Sequence, residues 1–336
     1  MTSGNNGWSH GTERFTDASH RNPCPVCGGR KWCGFNTRIA FCMRVDAGAV
    51  AAVPYRDGSG RVGYVHVLSP EAVVPWKADD AFLGPAVVTV SVAARDAVYR
   101  DFLGMLALDR EHREDLAIRG LSADRIAARG YRSVPRLEMP WAHAARLLDA
   151  GRNLEGVPGF YRAPRRSGGS YWTFLNPAGY FIPIEDAAGR IQALQIRRHR
   201  PLDGGGKYMM FSSGGRPCGA NAHTPAHVAR PAVLLDRRVW ITEGPLKAEV
   251  ATDRLGAVVI GTIGVDGWPQ AIPVLERLGT PCVVLANDAD EAGRKANRRI
   301  WEVFASRGWA VTVASWDSGV KGIDDALLAG KEIQVS

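Results

Sequence analysis

Four short apolar runs in the C-terminal third constrain the fold more than anything else in this chain. Val239–Thr242, Ala257–Ile260, Cys282–Leu285 and Ala310–Val313 are each of strand length, and the segments between them are of helical length. Apolar strands separated by helices predict a parallel sheet buried on both faces. In such a sheet, groups at the carboxyl ends of the strands converge on one crevice. Glu243 and Gly244 end the first run, and Asp288, Ala289 and Asp290 follow the third. Three carboxylates are therefore expected at one edge. So placed they repel one another unless a divalent cation neutralises them, which predicts a magnesium-type site.

A lone Asp-x-Asp is ordinarily a solvated turn, but here several elements follow in order. They are Ile241–Lys247 (Ile-Thr-Glu-Gly-Pro-Leu-Lys), the glycine-containing turn Gly261–Gly264, Asn287–Arg294 (Asn-Asp-Ala-Asp-Glu-Ala-Gly-Arg) and Asp324-Asp325. Together they resemble the TOPRIM domain shared by topoisomerases, bacterial primases and some nucleases. The resemblance implies Glu243, Asp288 and Asp290 as catalytic and metal-binding residues, with Asp324 and Asp325 at the family's last acidic motif. One position departs from it. Bacterial primases usually carry an Asp four residues after the glutamate, and this chain has Lys247. A lysine lowers the negative charge of the site and weighs against a metal bound from that side.

The chain has 336 residues, room for two or three compact units, and its 23% charged and 46% hydrophobic content is ordinary globular composition. Its net charge of +8 is not ordinary beside an acidic site, and it implies a polyanionic partner, most simply nucleic acid. The basic residues cluster: Arg162, Arg165 and Arg166; Arg197, Arg198 and Arg200; Arg294, Lys295, Arg298 and Arg299. No apolar run is long enough to span a membrane, and the N-terminus lacks the basic and apolar regions of a secretory signal. A cytoplasmic protein is expected, without a membrane partner. Six cysteines in a reducing compartment argue against a disulfide framework.

Four of those cysteines crowd together. Cys24, Cys27, Cys33 and Cys42 give the spacing C-x2-C-x5-C-x8-C, with glycines after Cys27 that free the backbone to turn around an ion. This predicts a structural zinc site with four cysteine ligands. In the competing arrangement Cys33 packs beside Trp32 as a small hydrophobe and His20 is the fourth ligand. Bacterial replicative primases place a small zinc ribbon before the catalytic core. The Trp32-Cys33 and Cys42-Met43-Arg44 pairings are closer to primase-like proteins of plasmids, phages and integrating elements.

Between these ends, apolar periodicity predicts helices over Asp96–Leu108 and Glu111–Ala128, the latter broken at Gly120 with Ser122 as a fresh N-cap. The Arg119–Ser122 segment, continued through Ile126, Gly130 and Tyr131, is similar to one in bacterial primases. Gly179–Arg190 reads as a β-hairpin whose second strand runs into Arg197, and Lys207–Ser213 follows the glycine loop 204–206. This looks like the N-terminal subdomain of the primase core, where the matching arginine and lysine face the catalytic groove. Arg197 and Lys207 inherit that expectation, and Lys247 and Arg294 join them as nucleotide or nucleic-acid contacts.

The resemblance covers roughly residues 20 to 330 in collinear order. It implies an α/β chain: a zinc-ribbon domain (1–69), a linker (70–94), a helical connector (95–155), a primase-core α+β subdomain (156–235) and a Rossmann-like TOPRIM domain (236–336). The implied activity is two-metal synthesis of short primers on single-stranded DNA from nucleoside triphosphates, with Mg2+ or Mn2+ at the carboxylates. Two alternatives stay open, a nucleic-acid-binding replication accessory of a mobile element and a TOPRIM nuclease. No P-loop motif occurs, and neither the helical subdomain nor the helicase-binding tail of replicative primases is recognisable, so any replicative helicase is expected to be a separate chain.

Overall fold

The computed structural model describes residues 16–54, 62–69, 87–165, 168–199, 206–280, 282–317 and 319–336. Most of the expected linker (70–86) lies outside the described residues, as do Arg166, Arg200, Gly204 and Gly205. The chain divides into two compact units. One comprises residues up to Val90 with Ala144–Leu175 and Ser212–His223; the other comprises Ser91–His143, Asn176–Phe211 and Thr224–Ser336. No helix among the described residues is long and apolar enough to cross a membrane.

The first unit holds a five-stranded antiparallel sheet of β1 (Thr16–Asp17), β2 (Gly34–Phe35), β3 (Ile39–Cys42), β4 (Ala51–Pro54) and β5 (Val62–Val67), in the order β1-β2-β3-β5-β4. Later in the chain this unit adds the hairpin β7 (Phe160–Pro164) and β8 (Ser170–Phe174), which had no expectation attached to it.

The second unit begins with three helices, α1 (Val92–Gly104), α2 (Arg110–Ile118) and α3 (Ala123–Arg129). α1 starts ahead of Asp96, where the apolar periodicity begins, because Ser91 caps it: the Ser91 hydroxyl accepts the Ala94 N–H at 3.3 Å. Ser122 caps α3 in the same way, accepting the Arg125 N–H at 3.2 Å, as its sequence position predicts. A second antiparallel sheet is ordered β11-β10-β9-β6, from β6 (Arg132–Ser133), β9 (Gly179–Glu185), β10 (Ile191–Arg198) and β11 (Tyr208–Met210). β9 and β10 are the expected hairpin. Alternate residues of β9 face two cores. Tyr180, Ile182 and Ile184 pack with Leu116, Ile126 and Tyr131, while Phe181 meets Phe102 and Phe211 at ring-centroid distances of 5.4 and 5.2 Å. Pro183 is tolerated in β9 because β6 pairs only with Tyr180 and Phe181 and leaves the strand an edge beyond them. The helix α4 (Pro140–Asp149) carries the chain between the units.

The remainder is a six-stranded sheet ordered β12-β14-β13-β15-β16-β17. β13 (Asp236–Glu243), β14 (Ala257–Thr262), β15 (Cys282–Leu285) and β16 (Ala310–Ser315) are the four apolar runs, and they are parallel. The edges β12 (His227–Ala229) and β17 (Gln334–Val335) run antiparallel. Their apolar runs are too short to register as strands in the sequence. Helices cover both faces, so successive residues of one strand enter different cores. Val239, Ile241, Val283 and Leu285 pack with Leu275, Ile300 and Phe304, from α6 (Ile272–Leu278) and α7 (Glu291–Ala305). Trp240, Val259 and Val284 pack with Ala248, Ala251 and Ile323, from α5 (Pro245–Leu255) and α8 (Ile323–Leu328). From β13 the chain steps to β14 on one side and later to β15 on the other. The crevice at such a switch in strand order lies beyond the carboxyl ends of β13 and β15, where Glu243 and Asp288 sit.

A buried ionic network joins α3, α5 and the two sheets. The Glu185 N–H donates to His227 Nδ1 at 3.0 Å, which leaves the Nε2 proton to donate to Glu249 at 2.8 Å. Arg129 reaches Glu185 at 2.6 Å and Glu249 at 3.0 Å. Burial works against ionising Glu249, but the His227 hydrogen bond and the two arginines Arg129 and Arg125 outweigh it and hold its carboxyl below the ordinary value. Removing one member leaves an uncompensated charge in the interior. Arg129→Ala is expected to lower unfolding free energy by about 3–5 kcal/mol in denaturant titrations; a loss below about 1 kcal/mol, the ordinary worth of a surface pair, would contradict this account.

Candidate metal centres

Cys24 and Cys27 flank the turn after β1, Cys33 precedes β2, and Cys42 ends β3. The sheet brings their sulfurs together, all within 4.8 Å of one another. Cys24, Cys33 and Cys42 are buried. Backbone N–H groups point at the sulfurs: Gly29 to Cys27 at 3.3 Å, Met43 to Cys33 at 3.4 Å, Arg44 and Val45 to Cys42 at 3.4 Å each. The Arg44 guanidinium lies 3.3 Å from Cys33 Sγ and donates to the Lys31 carbonyl at 3.0 Å. His20 stands outside the cluster, its Nδ1 3.0 Å from an Arg30 nitrogen, so the sulfurs and not His20 complete the set of four.

The thiols cannot all ionise without help. Contact with Cys33 drives the Cys27 thiol far below its ordinary value, while Cys27 in turn pushes Cys33 up to about 12 and Cys42 well beyond the ordinary range. A divalent cation removes that conflict, and buried soft thiolates with N–H donors behind them fit zinc. The core around the sulfurs is small, comprising Ala18 and the cysteines with Val26, Phe35, Met43 and Val45. Metal ligation is then part of what folds this sheet. Cys24→Ser combined with Cys27→Ser should remove one zinc per chain by metal analysis and open residues 16–69 to proteolysis. Unchanged zinc content would overturn the assignment.

The carboxylate edge is built differently. Glu243 is the last residue of β13, and Gly244 turns the chain into α5 at φ +97°, a conformation that favours glycine. Asp288 follows β15, and Asp290 caps α7 by accepting the Gly293 N–H at 2.9 Å. Position 293 must be glycine as well, since a Cβ there would run into the Asp288 carbonyl. Asn287 and Asn297 share a buried 2.8 Å hydrogen bond, and the Ala289 N–H donates to the Lys321 carbonyl at 2.8 Å, fixing this loop to its neighbours. Asp324 is buried at the start of α8 with Oδ1 lacking a hydrogen-bond partner, and burial raises its pKa. Asp325 is exposed.

Two lysines share this edge. Lys247 is ion-paired with Asp288, and Lys321 Nζ lies 3.0 Å from Asp290 and 3.5 Å from Asp288. Lys321 carries no role in the sequence reading, although it lies three residues before Asp324. Glu243 has no ion pair among the described residues, and burial together with the charge of Asp288 raises its pKa. No trio of these carboxylates offers oxygens all within 4.8 Å of one another, in contrast to the cysteines. The hard oxygen donors, the uncompensated Glu243 and the unpartnered Asp324 oxygen fit a divalent cation of the magnesium type. The Lys247 ammonium, paired with Asp288, would compete with such an ion for that carboxylate. Lys247→Ala is therefore expected to lower the half-saturating magnesium or manganese concentration by about tenfold, equivalent to about 1.4 kcal/mol; an unchanged or higher requirement would show that the lysine does not compete.

The basic candidates separate. Arg197 is not a free cation, for Asp115 grips it at 3.0 and 3.1 Å and Tyr208 Oη lies 3.0 Å from its Nη1. Lys207 and Arg294 are exposed, and Arg294 also donates to the Ala289 carbonyl at 2.9 Å beside the acidic loop.

A parallel sheet with carboxylates on either side of its switch point defines the class of the C-terminal region. Residues 241–327 match the Toprim-like family. Solved primase structures share the fold of a larger part of the chain. The crystal structure of the Aquifex aeolicus primase, comprising zinc-binding and RNA polymerase domains, aligns at TM-score 0.56 and 17% identity, over 73% of this chain and 63% of that one. The RNA polymerase domain of Mycobacterium tuberculosis primase DnaG aligns at TM-score 0.51 and 17% identity, over 70% and 78% of the two chains. The same domain in complex with a double-stranded DNA oligomer with a 6-nucleotide overhang gives 0.53 and 16%, over 73% and 82%. At these identities the likeness is one of fold. No curated protein matches the chain by sequence.

Proposed function

We propose that the protein is a primase-like nucleotidyltransferase that makes short primers on single-stranded DNA. The observation that carries this reading is a conjunction within one primase-type fold. A four-cysteine ribbon, an antiparallel sheet presenting Arg197 and Lys207, and a Toprim-type carboxylate edge occur in a single chain. A nuclease needs the last of these alone.

In this reading Glu243, Asp288 and Asp290, with Asp324 and Asp325 behind them, hold a divalent cation. When bound, that ion supplies Lewis-acid charge to the triphosphate oxygens and favours attack by the primer 3′-hydroxyl. Glu243, which has no ion pair among the described residues, would act near the attacking or leaving group either as a ligand of that ion or, if the ion sits on the aspartates alone, as the base. Lys247 and Lys321 keep Asp288 and Asp290 neutralised until substrate arrives and then turn toward phosphate, which competes for the same ammonium groups. Gly244 leaves room for close backbone approach at the start of α5. Arg197, clamped by Asp115, acts as a fixed charge, while Lys207 and Arg294 are exposed contacts for template or triphosphate. The five-part division of the chain, a role in mobile-element replication and recruitment of a separate helicase belong to the same proposal.

A second reading is favoured by one observation. The lysine pairing of Asp288 and Asp290 also suits a nucleic-acid-binding accessory without catalysis. The assay separates these readings by product. With single-stranded template, nucleoside triphosphates and magnesium or manganese, labelled nucleotide is expected in short oligomers, and Asp288→Ala should abolish it with the fold unchanged by circular dichroism. Shortened template without incorporation identifies a nuclease. Template binding that weakens with salt but yields neither product identifies the accessory.

A further inference from the structure

The ion pair between α2 and β10 fixes more than Arg197. Asp115 accepts from Arg197 twice and from the Tyr180 hydroxyl at 2.8 Å, so helix and strand cannot slide past one another. Four residues back along α2, about 6 Å of helix rise, is Glu111. Two residues on from Arg197, about 6.6 Å of strand rise, is His199. The two spacings nearly match, and His199 Nε2 comes to 3.9 Å from Glu111 Oε2. Between them His112 turns inward, only 2% exposed, its ring 5.3 Å from that of Tyr180 and 5.9 Å from that of His199.

His112 is held by one nitrogen only. Its Nδ1 lies 2.7 Å from Ser133 Oγ, which also accepts the Asp109 N–H at 2.8 Å. Its Nε2 is buried without a hydrogen-bond partner, 3.6 Å from Glu111 Oε1. An unpaired nitrogen in the interior is costly unless something outside the chain meets it. One ligand atom each from Glu111, His112 and His199 lie within 4.8 Å of one another.

We propose that Glu111, His112 and His199 form a further metal site, of two-histidine, one-carboxylate composition, for a zinc-like first-row transition ion. The donor set decides the class. Magnesium takes oxygen ligands and retains waters, whereas two imidazoles and a carboxylate suit zinc, cobalt or manganese. His112 is the preformed anchor, oriented by Ser133 behind it as metal-bound histidines usually are. Glu111 and His199 are both exposed at the rim and close onto the ion by rotamer change, to the ~3.3 Å ligand separations that bonds of about 2.0–2.1 Å require. Arg136, 3.1 Å from Glu111 Oε1 and itself half exposed, swings away when the ion binds. Three protein ligands leave a position for water or a phosphate oxygen. The site shares no residue with the cysteine cluster or the carboxylate edge.

Metal content of the full chain tests this. Protein equilibrated with zinc in excess magnesium, to keep the carboxylate edge occupied, and then freed of unbound ion is expected to carry two zinc ions. His199→Ala and Glu111→Gln should each carry one, with thermal melting of the protein holding only its cysteine-bound zinc unchanged, since both side chains lie at the surface. Cobalt in place of zinc adds a second reading: this site contributes weak d–d absorption without thiolate-to-metal bands, and that absorption is lost in His199→Ala. A wild-type content of one zinc, or equal content in wild type and both variants, overturns the proposal.

Discussion

Repulsion among carboxylates at the carboxyl edge of the parallel sheet is the constraint on which the larger unit turns. A buried parallel sheet delivers strand ends to one crevice, and this sequence places acidic residues at those ends. Left alone, Glu243, Asp288 and Asp290 would repel one another and loosen the edge. The chain limits that cost locally. Asp290 also caps α7, whose Gly293 N–H is the largest influence holding its carboxyl below the ordinary value, and Lys321 adds to the effect. Asp288 takes Lys247 and Lys321. Glu243 is left over, half-buried and raised in pKa. The uncompensated group is the one nearest the turn into α5, where a substrate or cation has a backbone glycine beside it.

The first unit resolves a related problem with different chemistry. Its sheet has too few apolar residues to fold on burial alone, and sulfur takes the place of core. Cys24, Cys33 and Cys42 are at most 2% exposed, and backbone N–H groups point at the sulfurs of Cys33 and Cys42. Arg44 stands against the cluster as a counter-charge, and Gly29 is free of a Cβ because that guanidinium occupies the space. A four-thiolate site with a divalent ion carries net negative charge, so an arginine there stabilises the ligated form.

What could be read from the sequence follows from how local each signal is. The four parallel strands, the hairpin of β9 and β10, the Ser122 cap and the break at Gly120 are each written in a few consecutive residues, and the structure has them where the pattern puts them. The start of α1 shifts because a single serine, not the apolar period, sets it. Features that depend on distant partners left no local trace. Lys321 meets Asp288 across a loop-to-loop contact, Arg129 meets Glu185 and Glu249 across two long sequence gaps, and His112 meets His199 through a helix-to-strand register. Arg197 shows the same limit from the other side. Its position was legible, but its partner Asp115, which makes it a fixed charge, was not.

That distinction changes where the basic surplus of the chain resides. Of the arginines near functional elements, Arg125, Arg129 and Arg197 are tied into intramolecular pairs and are largely buried. Paired charges contribute little to the field outside the protein. The excess that a polyanion would meet is carried by exposed groups: Arg162 and Arg165 on the hairpin β7–β8, Lys207 beside β11, and Arg294, Lys295 and Arg298 along α7. The α7 residues are the most telling, because that helix begins at Asp290. The same element that places an acidic group in the crevice therefore presents a row of cations leading away from it. Under the proposed function, phosphates drawn along that row would approach a crevice whose own carboxylates are already partly neutralised by Lys247 and Lys321, so the acidic edge would not by itself repel a polyanion.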